Sequence, residues 1–340
     1  TANFLSAYNQ PVCALYYNDT YFLRKDGNPM NRLQTAILRL ISFSYINIKK
    51  YYKIYRKLGN VLGLFFQPQP CYNTLDQKIM VEDREIPVRV FYPASGESLK
   101  ILIFFHGGGW VTGNIDSYTR VCANMAEQTM HTVISVDYRL APEHPFPAGI
   151  EDCYYVTKEI FMNMDLLGCS QESITLIGDS AGGNLAASVS LMAKDRGQFI
   201  PCKQILIYPA TYNDHSEKSP FSSVKESDAD SILTSKRIQD YMDLYVQNEK
   251  DKSSPYVAPI LAHDLSNQPQ TLIITAEYDP LRDEGEAYGM KLKQFANDVR
   301  VYRMSKSDHG FFTLPKRSPA VIRCYEIIND FLRDNENSEG

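Results

Sequence analysis

The chain has 340 residues, of which 44% are hydrophobic and 22% are charged. This length and composition are typical of a globular protein that contains one large α/β domain with an elaboration, or two domains. The formal net charge of −5 argues against a general nucleic-acid-binding protein. No repeat of solenoid or propeller period appears in the sequence, so those architectures are excluded.

Seven cysteines are widely spaced and contain no C-x-x-C pair. They predict reduced, mostly buried thiols in a cytoplasmic protein. No secretory signal peptide is recognisable, although the chain begins at Thr1 without a methionine. The longest apolar stretch, residues 36–48, is too short and too polar to span a bilayer, so we expect no stable membrane association.

Residues 1–60 are rich in tyrosine and differ from the rest of the chain. Apolar residues such as Leu33, Ile37, Ile48 and Tyr52 recur at helical spacing, with lysines and arginines between them. We interpret this segment as the N-terminal part of a helical cap, with a solvated basic face. The alternative is a helix that lies on a membrane surface.

From Lys78 onward, short apolar strands alternate with helices. The predicted strands are 78–81, 88–92, 101–105, 132–136, 174–177, 204–207, 271–275 and 300–302, the first two of them antiparallel. The predicted helices are 117–129, 148–164, 181–194, 283–296 and 318–333. This alternation predicts an α/β fold with a doubly wound, mostly parallel, eight-stranded sheet.

The polar stretch 211–262 interrupts the alternation and contains one helix-like run at 235–247. We predict that it is a cap insertion, which covers the core together with residues 1–60. The core is then formed by residues 61–210 and 263–334. The polar tail 335–340 is predicted to be disordered.

The sequence Gly-Asp-Ser-Ala-Gly occupies residues 178–182, between a predicted strand and a helix of small residues. A serine at such a turn adopts a strained conformation and projects its hydroxyl above the sheet, as in a nucleophile elbow. The alternative is a glycine-rich turn without catalytic function. The flanking strand and helix favour Ser180 as a nucleophile.

A serine nucleophile needs a base and an acid, which follow it in the chain order Ser, Asp or Glu, His. Of the six histidines, only His215, His263 and His309 follow Ser180, and the first two precede the strand that should carry the acid. His309, just after the last predicted strand, is therefore the candidate base. Asp308 is a weak acid candidate because a sequence neighbour rarely reaches the far ring nitrogen of the histidine.

The loop after the strand at 271–275 contains four carboxylates, at Glu277, Asp279, Asp283 and Glu284. The last two are expected in the first turn of the next helix, where acidic residues are favoured. The pattern alone leaves Glu277 and Asp279 open as the triad acid.

A glycine run follows the strand at 101–105, in the sequence His106-Gly107-Gly108-Gly109-Trp110. Gly107, Gly108 and Gly109 would let backbone N–H groups approach a substrate oxygen, and Ala181 would supply another N–H. These four residues are the predicted oxyanion hole. A phosphate-binding loop is disfavoured because no Lys-Ser/Thr pair follows the glycines.

Together these motifs make the chain resemble the hormone-sensitive-lipase-like family of α/β-hydrolases, which includes many microbial carboxylesterases. The matching segments are 106–110, 137–148, 178–183, 279–285 and 309–311, in the family's order. The resemblance covers residues 75–330 and is weak over the N-terminal segment. It implies an α/β-hydrolase fold with a helical cap.

The resemblance also implies the roles of particular residues. Asp279 would be the triad acid, and Gly108, Gly109 and Ala181 would donate the oxyanion hydrogen bonds. The segment 137–148 would support the catalytic face.

The expected activity is that of a serine carboxylesterase, in which Ser180 attacks the ester carbonyl, His309 takes its proton and Asp279 orients His309. The reaction needs no metal or organic cofactor. The expected substrates are small-molecule esters with acyl chains from acetyl to about hexanoyl. The alternatives are a lipase for longer chains, a non-catalytic small-ligand receptor and a serine peptidase. An edge strand near residue 300 and the last helix offer surfaces for a homodimer.

Overall fold

The computed structural model describes residues 47–65, 72–81, 84–226 and 232–333. Within these residues, one sheet contains the strands β1 (Thr74–Val81), β2 (Arg84–Phe91), β3 (Ile101–Phe105), β4 (Thr132–Val136), β5 (Ile174–Asp179), β6 (Lys203–Ile207), β7 (Gln270–Tyr278) and β8 (Val299–Asp308). Their spatial order is β1-β2-β4-β3-β5-β6-β7-β8. Only β2 runs antiparallel to its neighbours, β1 and β4, and the remaining pairs are parallel. The predicted eight-stranded, mostly parallel sheet is confirmed.

Helices cover both faces of this sheet. They are α1 (Ile48–Phe65), α2 (Thr119–Thr129), α3 (Ala148–Met162), α4 (Met164–Leu167), α5 (Ala181–Arg196), α6 (Ser222–Glu226), α7 (Ser235–Tyr245), α8 (Arg282–Gln294) and α9 (Pro319–Arg333). Alternate residues of β3 point to opposite faces, because side chains alternate along a strand. Ile103 joins a core cluster with α3, α5 and α8, whereas Phe104 joins a second cluster with α2 and α9. Burial on both faces explains why the central strands are uniformly apolar.

The outer strands are longer than the sequence predicted. β1 begins at Thr74 rather than residue 78, β2 begins at Arg84 rather than 88, and β8 continues to Asp308 rather than ending at 302. β1 shows an alternation of exposed and buried residues, so polar side chains obscure its strand pattern. The second half of β8 is also largely polar. The extension of β8 matters for the site because it ends directly before His309.

Two of the predicted boundaries can be compared with the structure. α1 continues to Phe65, so the predicted boundary after residue 60 falls inside a helix. α7 ends at Tyr245, two residues before the predicted end, and it packs against α1. The Lys49 ammonium at the start of α1 lies 2.6 Å from the Asp243 carboxylate of α7. The other predicted cap residues before Asn47, and the tail 335–340, lie outside the described residues.

The five cysteines within the described residues are free thiols. Cys122, Cys153 and Cys324 are buried, and Cys169 and Cys202 are half-buried. The remaining two, Cys13 and Cys71, lie outside the described part of the chain. Among the described helices, none is both long enough and apolar enough to cross a membrane.

Candidate active site

Ser180 lies at the sharp turn between β5 and α5. Its backbone has φ 56° and ψ −118°, an unfavourable conformation for a residue with a Cβ. The Ser180 N–H donates to the carbonyl oxygen of Ile207 at 2.8 Å, which ties the turn to the end of β6. A Cβ on Gly178 would overlap the Gly182 carbonyl, and one on Gly182 would overlap the Phe105 carbonyl. The two glycines therefore allow the tight packing that holds the strained serine.

Three side chains from separate strand ends form a continuous hydrogen-bonded chain. The Ser180 Oγ lies 2.9 Å from Nε2 of His309. Nδ1 of the same ring lies 2.7 Å from Oδ2 of Asp279, which is 3% exposed. Oδ1 of Asp279 accepts from the Leu281 N–H at 2.9 Å, so both carboxylate oxygens have partners. This arrangement can orient a neutral imidazole to accept the serine proton.

The other acidic candidates in this loop make different contacts. Glu277 accepts the Lys306 N–H, and Asp283 lies 2.8 Å from the Arg282 side chain. Glu284 is fully buried, with Oε2 2.8 Å from Nε2 of His215. Of these four carboxylates, Asp279 is the one that is hydrogen-bonded to His309.

One backbone N–H group of the glycine run already has a hydrogen-bond acceptor within the protein. The Gly107 N–H donates to Oδ1 of Asp179 at 2.8 Å, so it is not available to an oxyanion. Assigning Gly107 to the oxyanion hole was therefore wrong, because this donor holds the loop against the nucleophile turn. No residue in the described ranges accepts the N–H groups of Gly108, Gly109 or Ala181, which border the same cavity as Ser180.

The neighbour of the nucleophile, Asp179, connects these two loops. Its Oδ2 accepts hydrogen bonds from the hydroxyls of Tyr118 at 3.0 Å and Tyr208 at 3.3 Å. Burial raises the pKa of the Asp179 carboxyl to about 6, while the hydrogen bonds from Tyr118, Gly107 and Tyr208 oppose that rise. The sequence reasoning missed both tyrosines, because no local pattern predicts that they meet an aspartate from another strand.

His106, the first residue of the glycine motif, is packed in the protein interior. It is fully buried and stacks on Tyr138, with ring centroids 4.3 Å apart. Burial lowers the pKa of His106 to about 4, so the ring is neutral at physiological pH. His106 therefore supports the loop and does not compete with His309 as a base.

A cavity of about 420 Å³ lies above Ser180 and has two walls. The core wall contains the catalytic residues and the glycine loop. The cap wall is formed by side chains of α1 and α7, among them Tyr55, Arg237, Ile238 and Tyr241. A cavity of this size is in the usual range for sites that bind small molecules.

The cap wall is attached to the core by an arginine of α1. The Arg56 guanidinium donates to the carbonyl oxygens of Val111 and Ala141. It also forms a two-pronged contact with Glu143, at 3.1 and 3.0 Å. Val111 follows the glycine run, so Arg56 fixes α1 close to the oxyanion loop.

Comparison with known proteins agrees with this geometry. A family described as alpha/beta hydrolase fold matches residues 102–313. An arylesterase of Saccharolobus solfataricus is 37% identical over 84% of this chain and 91% of its own length. An ethyl acetate hydrolase of Pseudomonas putida is 31% identical over 67% of this chain and 72% of its own length. A solved structure of a Pyrobaculum calidifontis esterase has a TM-score of 0.79 and 37% identity, covering 88% of this chain and 98% of that chain. The chain belongs to the family of α/β-hydrolases, of the carboxylesterase type.

Proposed function

We propose that this chain is a serine carboxylesterase that cleaves small esters with short acyl chains through an acyl-enzyme on Ser180. Its class, carboxylic ester hydrolase, agrees with the esterase names of its relatives. The observation that supports the mechanism most strongly is the hydrogen-bonded chain from Ser180 through His309 to Asp279.

The reaction begins when Ser180 Oγ attacks the ester carbonyl and His309 Nε2 accepts its proton. Asp279 holds the Nδ1 proton of the ring and stabilises the imidazolium. The N–H groups of Gly108, Gly109 and Ala181 would stabilise the oxyanion, and each such donor typically contributes about 3 kcal/mol. His309 then protonates the leaving alcohol, and a water molecule activated by the same ring cleaves the acyl-enzyme. Activity should fall at acid pH, because a protonated imidazole cannot accept the serine proton.

The proposed preference for acetyl to about hexanoyl chains is supported by the covered cavity. Cap side chains line the same cavity as Ser180, and its volume of about 420 Å³ suits a small ester. The relative named ethyl acetate hydrolase gives independent support for a short acyl group. For the lipase alternative, two of the basic side chains of α1, Lys49 and Arg56, are paired with the carboxylates of Asp243 and Glu143, which reduces its support.

Hydrolysis of p-nitrophenyl esters from acetate to palmitate tests this proposal. We expect the highest kcat/KM between acetyl and hexanoyl, and a loss of at least about 10⁴-fold in Ser180→Ala. A matched control is Ser188→Ala on the same helix, because the buried Ser188 hydroxyl has no hydrogen-bond partner in the described structure. A maximum at dodecanoyl or longer would refute the short-chain preference. Unchanged turnover in Ser180→Ala would refute the mechanism.

We retain the predicted homodimer and cytoplasmic location as part of the proposal. β8 is an edge strand of the sheet, and an edge offers unpaired backbone groups to a second copy. Light scattering at two protein concentrations would give the mass, and a mass of one chain at both would exclude the dimer. Fractionation of the source cells would test the location.

A further inference from the structure

Arg120, the second residue of α2, lines the catalytic cavity close to the turn that follows His309. Its Nη2 donates to the Thr313 carbonyl oxygen at 2.7 Å. No carboxylate of the described residues lies within ion-pair distance of its guanidinium. A guanidinium carries five N–H donors, and the bond to Thr313 uses one of them. Partial burial lowers the pKa of Arg120, but an arginine stays charged at any physiological pH.

The carboxylates that line or border the cavity already have partners. Asp179 accepts from Gly107, Tyr118 and Tyr208, and Asp279 binds His309. Their negative charge is therefore stabilised by donors inside the core rather than by Arg120.

A second guanidinium lines the cavity from the cap wall. Arg237 of α7 is 6% exposed, and its guanidinium carbon lies 4.6 Å from the centroid of the Tyr55 ring. Two arginines thus border one concave site with largely apolar walls. A guanidinium at the border of a cavity can attract a negatively charged ligand.

We propose that the cavity takes esters that carry a carboxylate, with the carboxylate on Arg120 while the ester carbonyl lies at Ser180. This inference rests on the proposed esterase activity. The planar fork of a guanidinium matches the two oxygens of a carboxylate, so the contact would orient the substrate as well as attract it. Arg120 is bonded to the turn Phe311–Thr313, which directly follows His309 and Gly310. The carboxylate and the scissile carbonyl can therefore belong to one small molecule.

The carboxylate can lie in either half of the ester, and matched substrate pairs distinguish the two cases. Monomethyl succinate against methyl butanoate places the charge in the acyl half. The ion 3-acetoxypropanoate against butyl acetate places it in the alcohol half. Hydrolysis by the intact protein is followed by alkali uptake at constant pH. In at least one pair we expect kcat/KM to favour the charged ester by about 10- to 100-fold, the usual effect of a hydrogen bond to a charged group.

The variants separate charge recognition from a structural role of Arg120. Arg120→Met should reduce the ratio of kcat/KM for the charged ester to that for the neutral ester to near unity, and Arg120→Lys should restore part of that ratio. The control is Arg323→Met on α9, since Arg323 is exposed and pairs with Glu326 away from the cavity. Added salt should weaken the preference of the wild-type protein for the charged ester over the neutral ester.

Each other outcome contradicts one of the two proposals. Turnover of neutral esters without a charge preference in either pair would refute the carboxylate site and leave the esterase proposal intact. An equal loss on charged and neutral esters in Arg120→Met would show that Arg120 only positions the turn after His309. If Arg120→Met does not fold, Arg120→Gln takes its place, and a preference for the charged ester in Arg120→Gln equal to that of wild type would overturn the proposal. Failure to hydrolyse any of the four esters, charged or neutral, would instead refute the proposed function.

Discussion

The core wall and the cap wall of the cavity are built in different ways. The core wall contains the catalytic side chains and the glycine loop, and it is held by glycines with no room for a side chain and by buried hydrogen bonds at Asp179. The cap wall consists of side chains on two helices, α1 and α7, which are joined by partly exposed ion pairs such as Lys49–Asp243. Partly exposed ion pairs contribute little stability, so the cap is the more adaptable part.

This difference suggests a division of roles. A reaction that needs atoms placed within fractions of an ångström benefits from a rigid backbone site. Which substrate is selected depends on side chains that can be substituted without disturbing the fold. Substitutions in the glycine loop and the nucleophile turn should therefore affect folding and chemistry, and substitutions in the cap wall should affect which ester is taken.

The largest effect is expected for Gly182→Ala. The added methyl group would overlap the Phe105 carbonyl oxygen, so either the nucleophile turn or β3 must move. We expect a loss of at least about 3 kcal/mol in the free energy of unfolding, measured by urea denaturation, together with loss of activity.

The matched control for this variant is Gly197→Ala at the other end of α5. Gly197 has φ +63°, and an added Cβ would meet no atom within 4 Å. It should cost only about 1 kcal/mol, from backbone strain alone. Equal costs at the two glycines would contradict the claim that the core wall is sterically fixed.

The next effect is the pH dependence of stability caused by Asp179. Its pKa in the folded protein, about 6, is above the ordinary value near 4, so the folded state holds this proton more tightly than the unfolded state. The resulting stabilisation is complete below about pH 4 and is lost as the pH rises through about 6. An asparagine does not titrate, so Asp179→Asn does not lose this stabilisation as the pH rises. The free energy of unfolding of Asp179→Asn minus that of wild type should therefore increase by on the order of 2–3 kcal/mol from pH 4 to pH 8.

Urea denaturation of both proteins at several pH values measures this difference. Asp330→Asn on α9 is a suitable control, because Asp330 is exposed and pairs with its helix neighbour Arg333. A relative stability of Asp179→Asn that does not change with pH would show that burial of this carboxylate carries no cost.

The smallest effect is expected at the cap wall, for Tyr241→Ala. A Cβ on Gly109 would lie 2.5 Å from Cγ of Tyr241, so this ring lies directly over the oxyanion loop. Its removal enlarges the cavity, and we expect the preferred acyl chain to lengthen by about two to four carbons, with acetate turnover changed less than about threefold. Tyr302→Ala, at a more exposed tyrosine of β8, is the control. A large loss of acetate turnover in Tyr241→Ala would show that the cap wall takes part in the chemistry.

The sequence was most informative where local geometry requires particular residues. The strand, turn and small-residue helix around Ser180 predicted both the elbow and its strained backbone, and apolar runs predicted the central strands. The polar halves of β1, β2 and β8 were missed, since strands at and next to the edges of the sheet need not be apolar. The donor pair Tyr118 and Tyr208, and the cation Arg120, could not be predicted, because they approach the site from elements distant in sequence. Gly107 was misassigned because a glycine run does not show which N–H points inward.

The most direct test of the central claim is covalent labelling of the wild-type protein with a fluorophosphonate, followed by peptide mass spectrometry. A serine activated by His309 and Asp279 should form a stable adduct, whereas an ordinary serine hydroxyl should not. We expect one adduct per chain, located on Ser180, with esterase activity lost in proportion to labelling. An adduct on another residue, or full activity in protein completely labelled at Ser180, would contradict the account.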